Sequence, residues 1–407
     1  MADEEPVRKK SCKDHPSFLY TARAPVNIAV VKYWGKRDEK LILPVNSSLS
    51  VTLNQDELCT TTTVVASPDF PCDSLWINGR EQPIADAPRI QNCLFRIRDK
   101  CQLESPQRWQ ELKDCHLHIA SKNNFPTAAG LASSASGHAC LVFLLSKLFH
   151  LKCELSGLAR QGSGSACRSI YGGFVVWSKG EHEDGTDSIA KQIMPSEHWP
   201  SLRILILVVN DQKKSTSSTE GMKRSVQTSE LLQLRATYCV PQRMKNMEEA
   251  IIHKDFETFA ELTMKESNQF HAVCQDTYPP IEPPYLSTTS HSIIQLVTAY
   301  NQYHKNTKVA YTFDAGPNAV LFLQEKDVSE MAALIQHFFP PLDTKGFIKG
   351  IPIQEIPKLS KDLLESMAMY PVPSSIKYII STKVGNGPSM IAMDSDEHLL
   401  NEDGLPH

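Results

Sequence analysis

The stretch from Pro126 to about Leu148 constrains the fold of this chain more than any other part of it. It opens as Pro-Thr-Ala-Ala-Gly-Leu-Ala-Ser-Ser-Ala135 and runs into an apolar helical pattern. An apolar helix must be covered, and its most apolar part, 141–149, is far shorter than the roughly 20 residues that cross a bilayer. Leu117 and Ile119 suggest a strand just before it, ending in the turn Asn123-Asn124-Phe125-Pro126, so a helix start packed on a sheet is one reading. The small residues admit a second use. They let the backbone approach a ligand closely, and the free N–H groups and dipole of a helix start favour an anion. Ser133 and Ser134 add hydroxyl donors. No G-x-x-x-x-G-K-[ST] loop occurs anywhere, so physics alone leaves packing and phosphate binding both open.

Around this segment the pattern is mixed. Residues 1 to about 20 read as a flexible polar tail, and strands are predicted at Val26 to Val31, Leu49 to Leu53 and Cys59 to Val65. Leu75-Trp76-Ile77 enters a tight hairpin at Asn78-Gly79. Ile90, Cys93, Leu94, Ile97 and Cys101 then share one helical face. The second half predicts a strand at 203–209, helices near 229–253, 255–272 and 287–304, a strand pair at 308–313 and 319–323, and a last strand from Ile376 to Lys383. This order predicts an α+β architecture. At ~150 residues per domain, 407 residues suggest two domains, and Pro195 and Pro200 put the boundary near 195–200, giving 21–198 and 199–407.

Composition narrows the function classes. Hydrophobic residues at 41% and charged residues at 22% argue against a disordered, collagen-like or repeat chain. With 42 Lys+Arg against 46 Asp+Glu, a net charge of −4 gives no global case for binding nucleic acid or an anionic membrane. Eleven cysteines cannot all pair within the chain, and none stand at C-x-x-C spacing. Cys93, Cys140 and Cys167 lie in apolar patterns where Cys acts as a small hydrophobe, which suits a reducing compartment. The N-terminus has no apolar signal core. The expectation is a soluble intracellular protein. Fourteen histidines form no metal-ligand spacing, and His116 and His118 read as surface or packing groups.

The wording of the small-residue loop is more specific than its physics. P-x-x-x-G-L-x-S-S-A resembles the phosphate loop of the galacto-, homoserine, mevalonate and phosphomevalonate (GHMP) kinase superfamily. Ala24-Pro-Val-Asn-Ile-Ala-Val-Val-Lys-Tyr-Trp-Gly-Lys-Arg37 resembles its N-terminal motif, and Tyr311-Thr-Phe-Asp-Ala-Gly-Pro-Asn318 its C-terminal glycine loop. With Gly162-Ser-Gly-Ser-Ala-Cys-Arg-Ser-Ile-Tyr-Gly-Gly173, the set is similar to the mevalonate diphosphate decarboxylases within that superfamily, from about residue 22 to the C-terminus. Many kinase members carry an aspartate in the segment matching 162–169. Here that segment has no acid and instead holds Arg168, whose planar fork suits a carboxylate.

The resemblance implies a two-lobed GHMP-kinase fold, with a ribosomal-protein-S5-domain-2-like N-terminal lobe, a ferredoxin-like C-terminal lobe and the active site in the cleft between them. It implies that Asp314, which in isolation reads as a turn residue before Ala-Gly, is the catalytic acid/base. Arg168, Lys32 and Ser134 join it in the catalytic set. Tyr33 and Lys36 are implied contacts of a substrate diphosphate, Arg89 another. Asn27, Trp34, Gly35, Ser163, Gly164, Ser165, Ala166, Cys167, Ser218 and Thr219 are implied substrate neighbours, although Ser217-Ser218-Thr219 also reads as a helix cap. Pro126, Ala129, Gly130, Leu131, Ala132, Ser133, Ser134 and Ala135 are implied to cradle ATP. The implied reaction is ATP-dependent decarboxylation of mevalonate 5-diphosphate to isopentenyl diphosphate through 3-hydroxyl phosphorylation. Mg²⁺ would travel with ATP without a dedicated protein cage, and the implied state is a cytosolic homodimer. A superfamily kinase that stops at the phosphorylated alcohol, and a ligand-binding regulator without turnover, are the two competing readings.

Overall fold

A computed structural model of the chain describes residues 17–125, 133–209 and 215–407. A six-stranded sheet runs in the order Ser389–Met390, Phe18–Pro25, Cys59–Ser67, His116–Asn123, Ser74–Ile77, Arg80–Gln82. Only Ser74–Ile77 beside His116–Asn123 is parallel. The expected tail to about residue 20 is corrected at its end. Strand residues begin at Phe18, with Leu19 opposite Val65 and Tyr20 opposite Val64. Three strand residues at the end of a polar run carry too little pattern to be read locally; pairing with Cys59–Ser67 orders them.

Both faces of this sheet are covered, which is why Val64, Val65 and Ala66 are consecutive rather than alternating with polar residues. Val64, Ala66, Leu117 and Ile119 face the helices Pro88–Glu104 and Ser133–Leu148. Val65 and Ala120 face the other way, onto Phe70, Trp76 and Leu400. The hairpin at Asn78-Gly79 has the positive φ at both residues that its tight turn requires (+52° and +75°). Cys93, Cys140 and Cys167 are buried. His118 is a packing group, stacked on Phe70 at 3.7 Å between ring centres.

A four-stranded sheet, Ala190–Met194, Phe174–Trp177, Ser48–Thr52, Asn27–Val31, is antiparallel throughout. A five-stranded sheet runs Val309–Phe313, Ala319–Gln324, Leu202–Val208, Tyr378–Lys383, Ile348–Gly350. One core joins them: Val30, Leu49 and Val51 lie in a single cluster with Ile204, Ile206 and Phe322, together with Met247 and Phe259. The opposite face of the five-stranded sheet buries Leu205, Leu207 and Leu321 under the helices Thr288–His304 and Val328–Phe338. Among the described residues, no helix is long and apolar enough to cross a membrane. The fold brings the end of Asn27–Val31, the start of Ser133–Leu148, the short helix Ala166–Ser169, the helix Ser218–Thr228 and the turn after Phe313 to one cavity.

Candidate active site

Every residue of the Asn27–Val31 strand is buried, and the next residue, Lys32, carries that buried course on into the cavity. Its Nζ donates to Asp314 Oδ1 at 2.6 Å. Asp314 follows the strand Val309–Phe313, and the Gly316 N–H closes a tight turn by donating to the Asp314 carbonyl at 2.7 Å. Lys32 is 3% exposed. Burial lowers its pKa, and the charge and hydrogen bond of Asp314 oppose that only in part.

Arg168, on the helix Ala166–Ser169, is 2% exposed. Its Nε donates to Asn27 Oδ1 at 3.2 Å and its Nη1 to Ser48 Oγ at 2.5 Å. Asn27 in turn donates to Ser169 Oγ at 2.8 Å and to the Ser165 carbonyl at 3.1 Å, so it orients the guanidinium rather than filling core space. The Trp177 ring lies 5.8 Å from the Arg168 Cζ. Among the described residues, no carboxylate forms an ion pair with Arg168, although Asp314 is near enough for its charge to act on it. A buried cation held only by neutral partners is a poor contribution to stability and a ready receptor for an anion.

The cavity measures about 410 Å³ and is lined by Asn27, Lys32, Tyr33, Trp34, Lys36, Arg89, Ser133, Ser134, Ser163, Gly164, Ser165, Arg168, Ser218, Thr219 and Asp314, among others. Among the described residues, its lining holds four strong cations, Lys32, Lys36, Arg89 and Arg168, against one carboxylate, Asp314. The Tyr33 hydroxyl is buried without a partner among the described residues. Lys36 is paired at 2.6 Å with Glu39, which is half exposed. Arg89 reaches Thr219 Oγ1 at 3.4 Å, a contact between the start of Pro88–Glu104 and the start of Ser218–Thr228. Ser134 and Ser163 share a hydrogen bond at 3.2 Å.

A second, mostly apolar cavity of about 240 Å³ shares Ser133 and Ser134 with the first and continues past Ile77, Ile90, Ile119 and His138. A site with cations and hydroxyls in one chamber and an apolar slot across a helix start can take a long polyanion at one side and a flat apolar group at the other.

The chain matches the family model for the mevalonate 5-diphosphate decarboxylase C-terminal domain over residues 204–391. It matches that for the diphosphomevalonate decarboxylase-like N-terminal domain over residues 24–190. It is 55% identical over 391 residues to the diphosphomevalonate decarboxylase of Danio rerio, covering 95% of this chain and 96% of the relative. The chain belongs to the mevalonate 5-diphosphate decarboxylase family. The solved mevalonate diphosphate decarboxylase of Trypanosoma brucei superposes with a TM-score of 0.81 at 38% identity, over 93% of this chain and 100% of that one. A solved structure described as MDDEF in complex with MVAPP, AMPPCP and magnesium superposes at 0.71 with 31% identity, over 93% and 100%. The α+β fold is that of the mevalonate diphosphate decarboxylases of the GHMP kinase superfamily.

Set against this decarboxylase family's motifs, the expected residues divide into three groups. Most line the cavity. A few support it from behind: Trp34 meets the cavity but sends its indole N–H to Ser225 Oγ at 2.9 Å, fastening the helix Ser218–Thr228. Gly35, at φ +94°, lies where a Cβ would stand 2.9 Å from Val226. Gly164 leaves the space the Tyr33 ring needs, since a Cβ there would sit 2.8 Å from it. Ala166 and Cys167 are buried beneath Arg168; the Cys167 thiol, pushed up by burial to about 12, bonds the Gly164 carbonyl. Ala135 is buried in the first turn of Ser133–Leu148. Pro126, Ala129, Gly130, Leu131 and Ala132 lie outside the described residues. Ser217 caps the helix by accepting from the Glu220 N–H, and Ser217, Ser218 and Thr219 all line the cavity. Sequence reasoning missed Ser48 under Arg168, and Met222 and Phe270 in the cavity wall. An isolated serine on an apolar strand carries no signal of a distant partner.

Proposed function

We propose that this chain decarboxylates (R)-mevalonate 5-diphosphate with ATP, giving isopentenyl diphosphate, ADP, phosphate and CO₂. The observation that carries the reading is Arg168: a buried guanidinium with no ion-pair partner among the described residues, beside the Lys32–Asp314 pair. A phosphoryl acceptor without a carboxylate gives such a cation nothing to hold. A substrate that must keep its carboxylate fixed next to the reacting carbon does.

In the proposed sequence Asp314 accepts the proton of the substrate 3-hydroxyl as that oxygen attacks the γ-phosphoryl group of ATP. Lys32 keeps Asp314 aimed and counters charge on the transferring group. Phosphorylation turns a poor leaving group into a good one. When phosphate leaves, C3 becomes electron-deficient, the bond to the carboxylate breaks, CO₂ departs and its electron pair forms the alkene. Arg168 holds the carboxylate in line for that cleavage. Tyr33, with its unpartnered hydroxyl, Lys36 and Arg89 take the diphosphate, and Ser133 and Ser134 at the helix start take the triphosphate with the purine in the apolar slot.

Asp314 and the hydroxyls at this junction would suit a Mg²⁺ ion brought in with ATP; among the described residues no cluster of three or more His, Cys, Asp or Glu could hold one alone. Such an ion supplies charge neutralisation during phosphoryl transfer. The proposal extends to a cytosolic homodimer that feeds isoprenoid and sterol synthesis, for which sedimentation of the purified chain checks the assembly. The deciding experiment supplies ATP, Mg²⁺ and carboxyl-labelled mevalonate 5-diphosphate and counts ADP and labelled CO₂ together. Equal amounts are expected. ADP without CO₂ makes the chain a kinase, and neither product removes the reading.

A further inference from the structure

Lys32 lies one residue beyond the strand Asn27–Val31, so no ladder partner takes its backbone N–H or C=O. Both groups are nevertheless satisfied, and by an unusual set. The N–H donates to Glu266 Oε2 at 3.0 Å. The C=O accepts from Arg235 Nη2 at 3.2 Å and from Asn46 Nδ2 at 3.0 Å. Glu266 and Arg235 are themselves ion-paired, and the other Glu266 oxygen takes Arg243 Nη1 at 2.6 Å. Glu266 is 0% exposed and Arg235 1%.

We infer that Glu266 and Arg235 are positioning residues, a buried charged clamp that fixes the backbone of Lys32 and so aims its ammonium at Asp314. This deepens the proposed function and rests on Lys32 and Asp314 acting as described there.

Three further observations support the clamp. First, it is costly as a stabilising device. Arg235 leaves Nε and Nη1 without partners among the described residues, and buried pairs of this kind are often replaced by apolar side chains without loss of stability. Second, Arg235 opens the π-helical turn Arg235–Cys239 between the helices Glu230–Leu234 and Val240–His253. A wide turn of that type is rare and recurs at functional positions. Third, the residue after Glu266 holds the other half of the reacting pair: the N–H of Phe313, the residue before Asp314, donates to Ser267 Oγ at 3.0 Å. Two consecutive side chains of the helix Phe256–Asp276 therefore fasten the backbones that carry Lys32 and Asp314.

The charged and titratable groups acting on the Lys32 ammonium are Asp314 after Val309–Phe313, Arg168 on Ala166–Ser169, and Glu266 and His271 on Phe256–Asp276; Arg235 is held against it through Glu266. Glu266 is the second of two negative charges that favour the ammonium. Removing it should both loosen Lys32 and let it lose its proton more easily.

The test compares wild type, Glu266→Gln and the double variant Glu266→Leu/Arg235→Met, with Tm recorded for each. Glu266→Gln should lower kcat about 10- to 100-fold with both KM values within twofold, as expected when a reacting group is displaced by a fraction of an ångström. It should also move the alkaline limb of the kcat profile about 0.5–1 pH unit toward acid. The apolar double variant should retain a cooperative melt and still lose kcat. A folded double variant with wild-type kcat would overturn the clamp, as would Glu266→Gln with an unmoved alkaline limb. If wild type forms ADP without CO₂, the decarboxylase reading fails alone, because the same profiles read on ADP release still test the clamp.

Discussion

Arg168 shows what a single side chain reveals when its surroundings are counted. A guanidinium out of water, with an amide, a hydroxyl and an aromatic ring around it, is incompletely matched until an anion arrives. Arg168→Gln keeps hydrogen-bonding capacity but removes the charge. It should cost about 2–5 kcal/mol in kcat/KM for the diphosphate substrate and leave the KM for ATP and the Tm near wild type. Steady-state kinetics with each substrate varied separately would check this, and an unchanged kcat/KM would remove Arg168 from the site. Asp314→Asn should lower kcat by about 10²–10⁴-fold, the usual worth of a placed base. Lys32 gives a pH signature of two signs. Its pKa is lowered, so turnover should fall as pH rises through a value below 10.5. Between that value and 10.5 the unfolded chain holds a proton that the folded chain has lost, so stability should rise over the same interval. Melting of wild type relative to Lys32→Met should therefore rise from pH 8 to 10.5 while wild-type activity falls, over and above the loss both proteins share because buried thiols such as Cys93 and Cys140 keep protons that the unfolded chain releases. Asp314 was legible in the sequence only through its motif. Glu266 was not legible at all, because an acid in an amphipathic helix pattern looks like one facing water.

The helix Phe256–Asp276 does more for the site than any element read from the motifs. Besides Glu266 and Ser267 it carries His271, buried among Phe270 and Phe313 and pushed down to about 3, first by burial and then by the Lys32 charge. Below pH 6.5 the unfolded chain takes up a proton here that the folded chain refuses. Each unit from there toward pH 3 should remove up to about 1.4 kcal/mol of stability. Urea unfolding at pH 7 and pH 5 should therefore show wild type losing about 2 kcal/mol more than His271→Phe over that interval. Equal losses would assign the acid sensitivity elsewhere. The helices and strands with strong period were legible: Pro88–Glu104, Thr288–His304 and the pair Val309–Phe313 with Ala319–Gln324 stand close to where the pattern puts them. Phe174–Trp177 and Val328–Phe338 were not singled out. The first is only four residues long, and the second is amphipathic, with Ser329, Glu330, Gln336 and His337 on its less buried side, a period the sequence reading passed over.

At the scale of the molecule, the last stretch of chain belongs to the first sheet. Ser389–Met390 pairs with Phe18–Pro25, the Leu399 N–H donates to Thr63 Oγ1 at 2.9 Å, and Leu400 closes the cluster of Val65, Phe70 and Trp76. That cluster lies on the face of the sheet away from the helix Ser133–Leu148. Leu400→Ala should cost about 2–5 kcal/mol of stability and leave both KM values unchanged, read by denaturant unfolding and steady-state kinetics. A shift in KM without loss of stability would mean the far face is coupled to the cavity. The sequence could not display this closure, since Ser389-Met390 is two residues long and its partner strand begins inside what reads as a tail.

The pairing of Ala22 with Met390 also sets an order of events on the ribosome. The sheet against which the helix Ser133–Leu148 packs stays open at one edge until everything between those two residues has been made. A growing chain can thus carry Lys32, Arg168 and Asp314 before that edge is sealed, so the first sheet is completed only after the residues of the cavity have been made.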